Sequence, residues 1–179
     1  MKKRIPFFAT ILSLLHLSQP LLIKTGLSLS TVGITILHSE EVNAQEKQYF
    51  NSAYKKAEAG DHYGAIYDYS KVIQINSKSE SAFYNRGLSK HAIGDYLGSI
   101  LDHTKAIEIN PKKLNAYMAR GNSHSNSGDY YSAISDYNKA IEINPKNQSA
   151  YYNRGTAKYD LKDYYGAISD YNKAIEIDS

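Results

Sequence analysis

The chain has 179 residues, with 21 basic against 18 acidic side chains and no cysteine. That length supports one domain with a real core. The near-balance of charge leaves no electrostatic footprint for nucleic acid or for an anionic membrane surface, and the lack of cysteine excludes disulfides, thiol catalysis and cysteine-based zinc sites.

Met1 to Arg4 opens the chain as a positive cluster, and Ile5 to Ile23 follows without a charge. Lys24 interrupts, and Thr25 to His38 is a second uncharged run. Val42, Asn43 and Ala44 present small residues at the spacing that signal peptidase reads. Residues 1–44 therefore look like a secretory signal cleaved after Ala44, which exports the rest to the periplasm or medium. The alternative is a membrane anchor over residues 5–23, about long enough to cross a bilayer, with the basic cluster kept on the cytoplasmic side. Gln19, Pro20 and His16 make a poor permanent span. A membrane contact is expected only if this segment is retained.

Every tyrosine lies at or after Tyr49, where a repeat begins. Gly87, Gly121 and Gly155 are 34 residues apart, and so are Ile66, Ile100, Ile134 and Ile168. The spacing defines four units without insertion, 46–79, 80–113, 114–147 and 148–179, within a domain spanning 45–179. Each unit reads as helix–turn–helix. The first helix covers roughly positions 2–14 of the unit. Glycine at position 15 supplies the left-handed residue that ends it, and Asp at position 16 is placed to cap the next helix. The second helix is amphipathic, with Ile134, Tyr137, Ala140 and Ile141 at helical spacing. Pro111 and Pro145 stop it between units. Small residues at positions 8 and 20 let the two helices approach closely.

Tyr-Asn-Arg-Gly, Gly-Asp-Tyr and Ala-Ile-Ser-Asp-Tyr-Asn-Lys-Ala-Ile-Glu-Ile, with the closing Pro, resemble the tetratricopeptide repeat, in a variety common in bacteria and especially cyanobacteria. The resemblance covers residues 46–179. It implies an all-α solenoid of four helix pairs, and a non-catalytic scaffold that binds a partner protein or peptide in its concave groove. Positions 7 and 11, usually apolar in that family, depart from it here: they are Arg86, Arg120 and Arg154, then Lys56, Lys90, His124 and Lys158. Position 23 is Asp68, Asp102, Asp136 and Asp170. The expected pairing joins each Arg to the Asp of the preceding unit: Asp68 with Arg86, Asp102 with Arg120, Asp136 with Arg154. Asp170 is then left over, and unit one, with Ser52 at position 7, needs no partner.

No zinc-protease, calcium-loop, phosphate-loop or nucleophile-elbow pattern occurs. No enzyme activity, metal or cofactor is expected. His62 and His103 replace tyrosines of the sister units and read as packing variants. Asn147-Gln148-Ser149 is a formal glycosylation sequon that reads as a linker accident.

The resemblance places positions 2, 5, 6, 9, 12 and 13 in the groove. The candidates are Phe50, Asn51 and Tyr54 in unit one, and Tyr84, Asn85, Leu88 and His91 in unit two. Unit three gives Met118 and Asn122, and unit four gives Tyr152, Asn153, Thr156 and Tyr159. Such a groove is aromatic at both ends and polar in the middle, suited to an extended or helical peptide. Family members that grip chaperone tails through a carboxylate clamp carry Lys and Asn where this chain has Phe50 and Tyr54, and Arg where it has Ala119, so acidic chaperone tails are not expected ligands. Two alternatives stand beside the scaffold. One is self-association, as a homodimer through a last unit that lacks a polar capping helix in this sequence. The other is an assembly factor for a membrane complex.

Overall fold

The computed structural model describes residues 31–178 and places eight helices there. They are α1 (Thr31–Glu58), α2 (His62–Ile75), α3 (Glu80–Ala92), α4 (Tyr96–Ile109), α5 (Leu114–Asn126), α6 (Tyr130–Ile143), α7 (Gln148–Asp160) and α8 (Tyr164–Asp178). No strand occurs among the described residues. The chain divides into two units, Met1–Ala44 and Gln45–Ser179. The anchor expected over residues 5–23 lies outside the described residues. Val42, Asn43 and Ala44 lie within α1. Among the described residues, no helix is long and apolar enough to cross a membrane.

From Gln45 on, the helices form four antiparallel pairs stacked in chain order. Each helix from α3 on packs on its chain neighbours, and α3, α5 and α7 also touch one another in sequence. The local reasons repeat with the sequence. Gly60, Gly94 and Gly128 at position 15 have φ of +81°, +81° and +85°, which only glycine adopts without strain. Unit four has Lys162 there, at φ +65°. The next residue caps the following helix: Asp61, Asp95, Asp129 and Asp163 accept from the backbone N–H of Gly64, Gly98, Ser132 and Gly166. Asn147 of the sequon caps α7 in the same way, accepting from the N–H of Ala150.

The core runs between the helix layers as small residues against one large ring per unit. Ala53, Ala65, Ala82, Ala116, Ala133 and Ala150 are fully buried. The ring comes from position 24: Tyr69, His103, Tyr137 and Tyr171. Position 8 faces it, and a Cβ at Gly121 would lie 2.7 Å from Tyr137 Cε1, so close approach requires glycine there.

Candidate functional site

A hairpin that turns at positions 15 and 16 brings residues facing each other into place when their positions sum to about 30. Positions 7 and 23 meet that condition within one unit. The structure accordingly pairs Arg86 with Asp102, Arg120 with Asp136 and Arg154 with Asp170. Each pair is bidentate, with Nε and Nη2 donating to the two carboxylate oxygens at 2.6–2.9 Å. This overturns the expected pairs Asp68–Arg86, Asp102–Arg120 and Asp136–Arg154. Asp170 is not left over either, since it holds both Arg154 and Lys158. Burial works to raise the Asp170 carboxyl, and the Arg154 and Lys158 hydrogen bonds outweigh it, leaving its pKa below the usual range. The case for self-association that rested on a free Asp170 therefore falls.

The reach into the preceding unit is made by the third guanidinium nitrogen. Nη1 of Arg86, Arg120 and Arg154 donates to Ser70 Oγ, Thr104 Oγ1 and Asn138 Oδ1. Each Arg also lies over the ring at position 4, Phe83, Tyr117 or Tyr151, at 5.3–5.8 Å. In unit one Ser52 and Lys56 serve Asp68 instead. The charged residues at positions 7 and 11 thus converge on one buried carboxylate per hairpin. They form a structural device within each hairpin.

Two cavities lie along the first helices. The larger, about 360 Å³, is lined by His91, Asn122, Ser125, Asn126, Tyr137, Tyr152, Asn153 and Thr156. Its floor is a hydrogen-bonded chain. Asn122 Oδ1 accepts from the Tyr137 hydroxyl at 2.8 Å and from Asn153 Nδ2 at 3.1 Å. The Asn122 amide NH2 and the Asn153 Oδ1 have no protein partner among the described residues. On the opposite wall His91 meets Ser123 Oγ through Nδ1 and Asn126 Nδ2 through Nε2. Ser123 Oγ donates its one proton to the Ala119 carbonyl. His91 Nδ1 must then be the donor and Nε2 the acceptor, which is the neutral imidazole. Burial lowers the His91 pKa and favours that form. No Arg or Lys lines this cavity.

The second cavity, about 230 Å³, is lined by Tyr54, Ala57, Glu58, His62, Tyr69, Asn85, Leu88 and Ser89. Of the expected groove residues, eight line these two cavities: Tyr54, Asn85, Leu88, His91, Asn122, Tyr152, Asn153 and Thr156. Phe50, Tyr84 and Met118, all at position 5, instead pack partly buried against core that includes the next unit's Ala82, Ala116 and Ala157. Asn51 is exposed and lines neither cavity, and Tyr159 is exposed with its ring on Tyr164 at 5.3 Å. Tyr69 and Tyr137 were missed. They belong to the second helix, and the available signal was their pairing with a polar residue at position 9, such as Asn122. Among the described residues, no group of His, Asp and Glu could hold a metal ion.

The family model of the tetratricopeptide repeat matches residues 114–147 and 149–179. Among solved structures, the crystal structure of MamA matches with 24% identity and TM-score 0.73, over 80% of this chain and 83% of that one. The Arabidopsis OM64 TPR domain matches with 20% identity and TM-score 0.61, over 64% and 94%. The first TPR of Spaghetti (RPAP3), solved with the HSP90 peptide SRMEEVD, matches with 19% identity and TM-score 0.64, over 66% and 94%. No curated protein matches the chain.

Proposed function

We propose that this chain, a tetratricopeptide-repeat protein of four tandem units, is a scaffold that holds an extended segment of a partner protein against α3, α5 and α7. The observation that carries this reading is the amide-lined cavity. Asn122 offers a free donor and Asn153 a free acceptor side by side, the pair of groups that a peptide backbone presents in complement. Tyr152, 57% exposed beside them, supplies an aromatic anchor. The similar fold of RPAP3 with an HSP90 peptide supports peptide binding as the mode. It does not extend to that peptide, because the uncharged cavity and Ala119 offer no cation for acidic side chains or a terminal carboxylate.

Selection of a displayed random-peptide library on the full chain tests the reading. Selected peptides lose roughly 10-fold or more in affinity on Asn122→Ala/Asn153→Ala, about 1 kcal/mol per hydrogen bond. Peptides that bind the double variant unchanged would refute the groove.

Export belongs to the same reading, on the strength of residues 1–44. N-terminal sequencing of the protein from its host is expected to find Gln45 first, or Met1 in the membrane fraction if the segment anchors the chain. Met1 retained in a soluble cytoplasmic protein contradicts both.

A further inference from the structure

We infer that the cavity between units one and two is a receptor for a lysine or arginine side chain of the bound segment. This rests on the groove reading and adds a requirement to it. The walls of the cavity suit an aliphatic stem: Leu88 is 40% exposed, Tyr54 is 49% exposed, and the Tyr69 ring closes the inner side. A lysine or arginine carries such a stem below its charge.

The rim carries the opposite charge. Glu58 is the one carboxylate lining the cavity, and no Lys or Arg lines it. The status of Glu58 is unusual in this chain. From Glu58 to Asp170, every other carboxylate but Asp160 either caps a helix or holds a cation. Asp61, Asp95, Asp129 and Asp163 cap. Asp68, Glu80, Asp102, Glu108, Asp136, Glu142 and Asp170 hold lysine or arginine. Glu58 and Asp160 do neither among the described residues, and both occupy position 13, on the groove side of the first helix. Of the two cations nearby on α1, Lys56 is already committed to Asp68 at 2.6 Å, and Lys55 does not line the cavity.

Two further features fit a cationic head. The Nδ1 of His62, which lines the cavity, is buried without a hydrogen-bond partner. As an acceptor it can take an ammonium or guanidinium proton once the ring turns into the cavity. The Tyr54 ring beside Glu58 offers a π face to the same charge. The Glu58 carboxylate also raises the Tyr54 pKa, mainly through a side-chain hydrogen bond, which marks the two groups as neighbours. An acidic ligand side chain would meet Glu58 with no counter-ion, and an uncharged apolar one would leave Glu58 without a cation and the His62 Nδ1 without a hydrogen bond.

The same displayed library, selected in parallel on the full wild-type chain, on Glu58→Gln and on Glu58→Lys, tests the inference. Wild type is expected to enrich Lys or Arg at one fixed position of the selected peptides. Glu58→Gln is expected to lose that enrichment, and Glu58→Lys to replace it with Asp or Glu. A synthetic wild-type-selected peptide should bind Glu58→Gln roughly 3–10-fold more weakly, and its norleucine analogue should bind both forms alike. Peptides that depend on Asn122 and Asn153 but show no basic preference would overturn this inference and leave the groove standing. The same basic preference on wild type and Glu58→Gln would overturn it too. Peptides indifferent to Asn122 and Asn153 would overturn both proposals.

Discussion

Replacing Asp102 by alanine lowers the free energy of unfolding by about 3–5 kcal/mol, read from urea melts of the full chain. The magnitude follows from what the change leaves behind. Asp102 is 3% exposed and holds both Arg86 and Lys90, whose side chains are only 18% and 19% exposed. Without the carboxylate, two cations face each other with little access to water. Asp68→Ala costs clearly less, since its one cation, Lys56, is 38% exposed and can turn outward. A double-mutant cycle assigns the partner. Asp102 couples to Arg86 by about 1 kcal/mol or more, and to Arg120 by less than about 0.5 kcal/mol. The reverse result would restore pairing between units.

His103→Phe stabilises the protein by about 1–3 kcal/mol at neutral pH. His103 is fully buried, and neither ring nitrogen has a hydrogen-bond partner. In the sister units the residue is tyrosine, whose hydroxyl reaches Asn122 from Tyr137 and Thr156 from Tyr171. Unit two has Leu88 at that place, so the shorter ring finds no hydrogen-bond partner there. Phenylalanine fills the same site without the two stranded nitrogens, and Gly87 faces the ring as Gly121 faces Tyr137. The pH dependence has a definite sign. Burial, with Tyr84, His91 and Arg120 around it and Asp102 opposing, lowers the His103 pKa to about 4 from 6.5. Between those values the unfolded chain holds a proton that the folded chain does not. Wild type therefore loses stability as pH falls from about 6.5 to about 4, by about 3 kcal/mol relative to His103→Phe. Melts of both forms at pH 7.5 and pH 4.5 measure this. Parallel pH curves for the two would place the His103 imidazole in contact with water.

Much of this fold is legible in the residue spacing, because each unit states its own punctuation. Glycine at position 15 of units one to three, Asp at 16 of all four, and Pro111 and Pro145 after the second helices of units two and three name the turn, the cap and the stop. Those three signals are local, and the structure places them where local chemistry requires. The ion pairs are not local. Arg120 has one Asp 18 residues before it and another 16 after it, and a 34-residue period ranks neither. The missing arithmetic was that of the hairpin, in which the turn decides which positions face each other. Ser52 in unit one invited the other choice, since it suggested that an absent neighbour explains an absent Arg. The account instead is that Ser52 and Lys56 share the work of one arginine.

The groove was legible in part for a similar reason. The tetratricopeptide resemblance puts position 5 on the groove side, yet Phe50, Tyr84 and Met118 are drawn under the next unit because they are large and apolar and a neighbour lies within reach. Asn122 and Thr156 at position 9, and Glu58, Asn126 and Asp160 at position 13, stay open, having little to gain from burial, and Tyr54 and Leu88 at position 9 stay exposed beside them. Tyr137 reads as core from its helical spacing and is 2% exposed, yet it lines the cavity and its hydroxyl donates to Asn122 there. One residue can serve both layers when its polar atom sits at the far end of its ring.

The central claim is that the amide-lined face of α3, α5 and α7 carries the ligand. The most direct test places a photoreactive phenylalanine at Asn126 or Tyr152, and as a control at Tyr131, which is 76% exposed on α6 and lines neither groove cavity. A library-selected peptide is then irradiated with each full-length form. Crosslinks from positions 126 and 152 and none from 131 are the predicted result. Crosslinks from 131 with none from 126 or 152 would contradict the account.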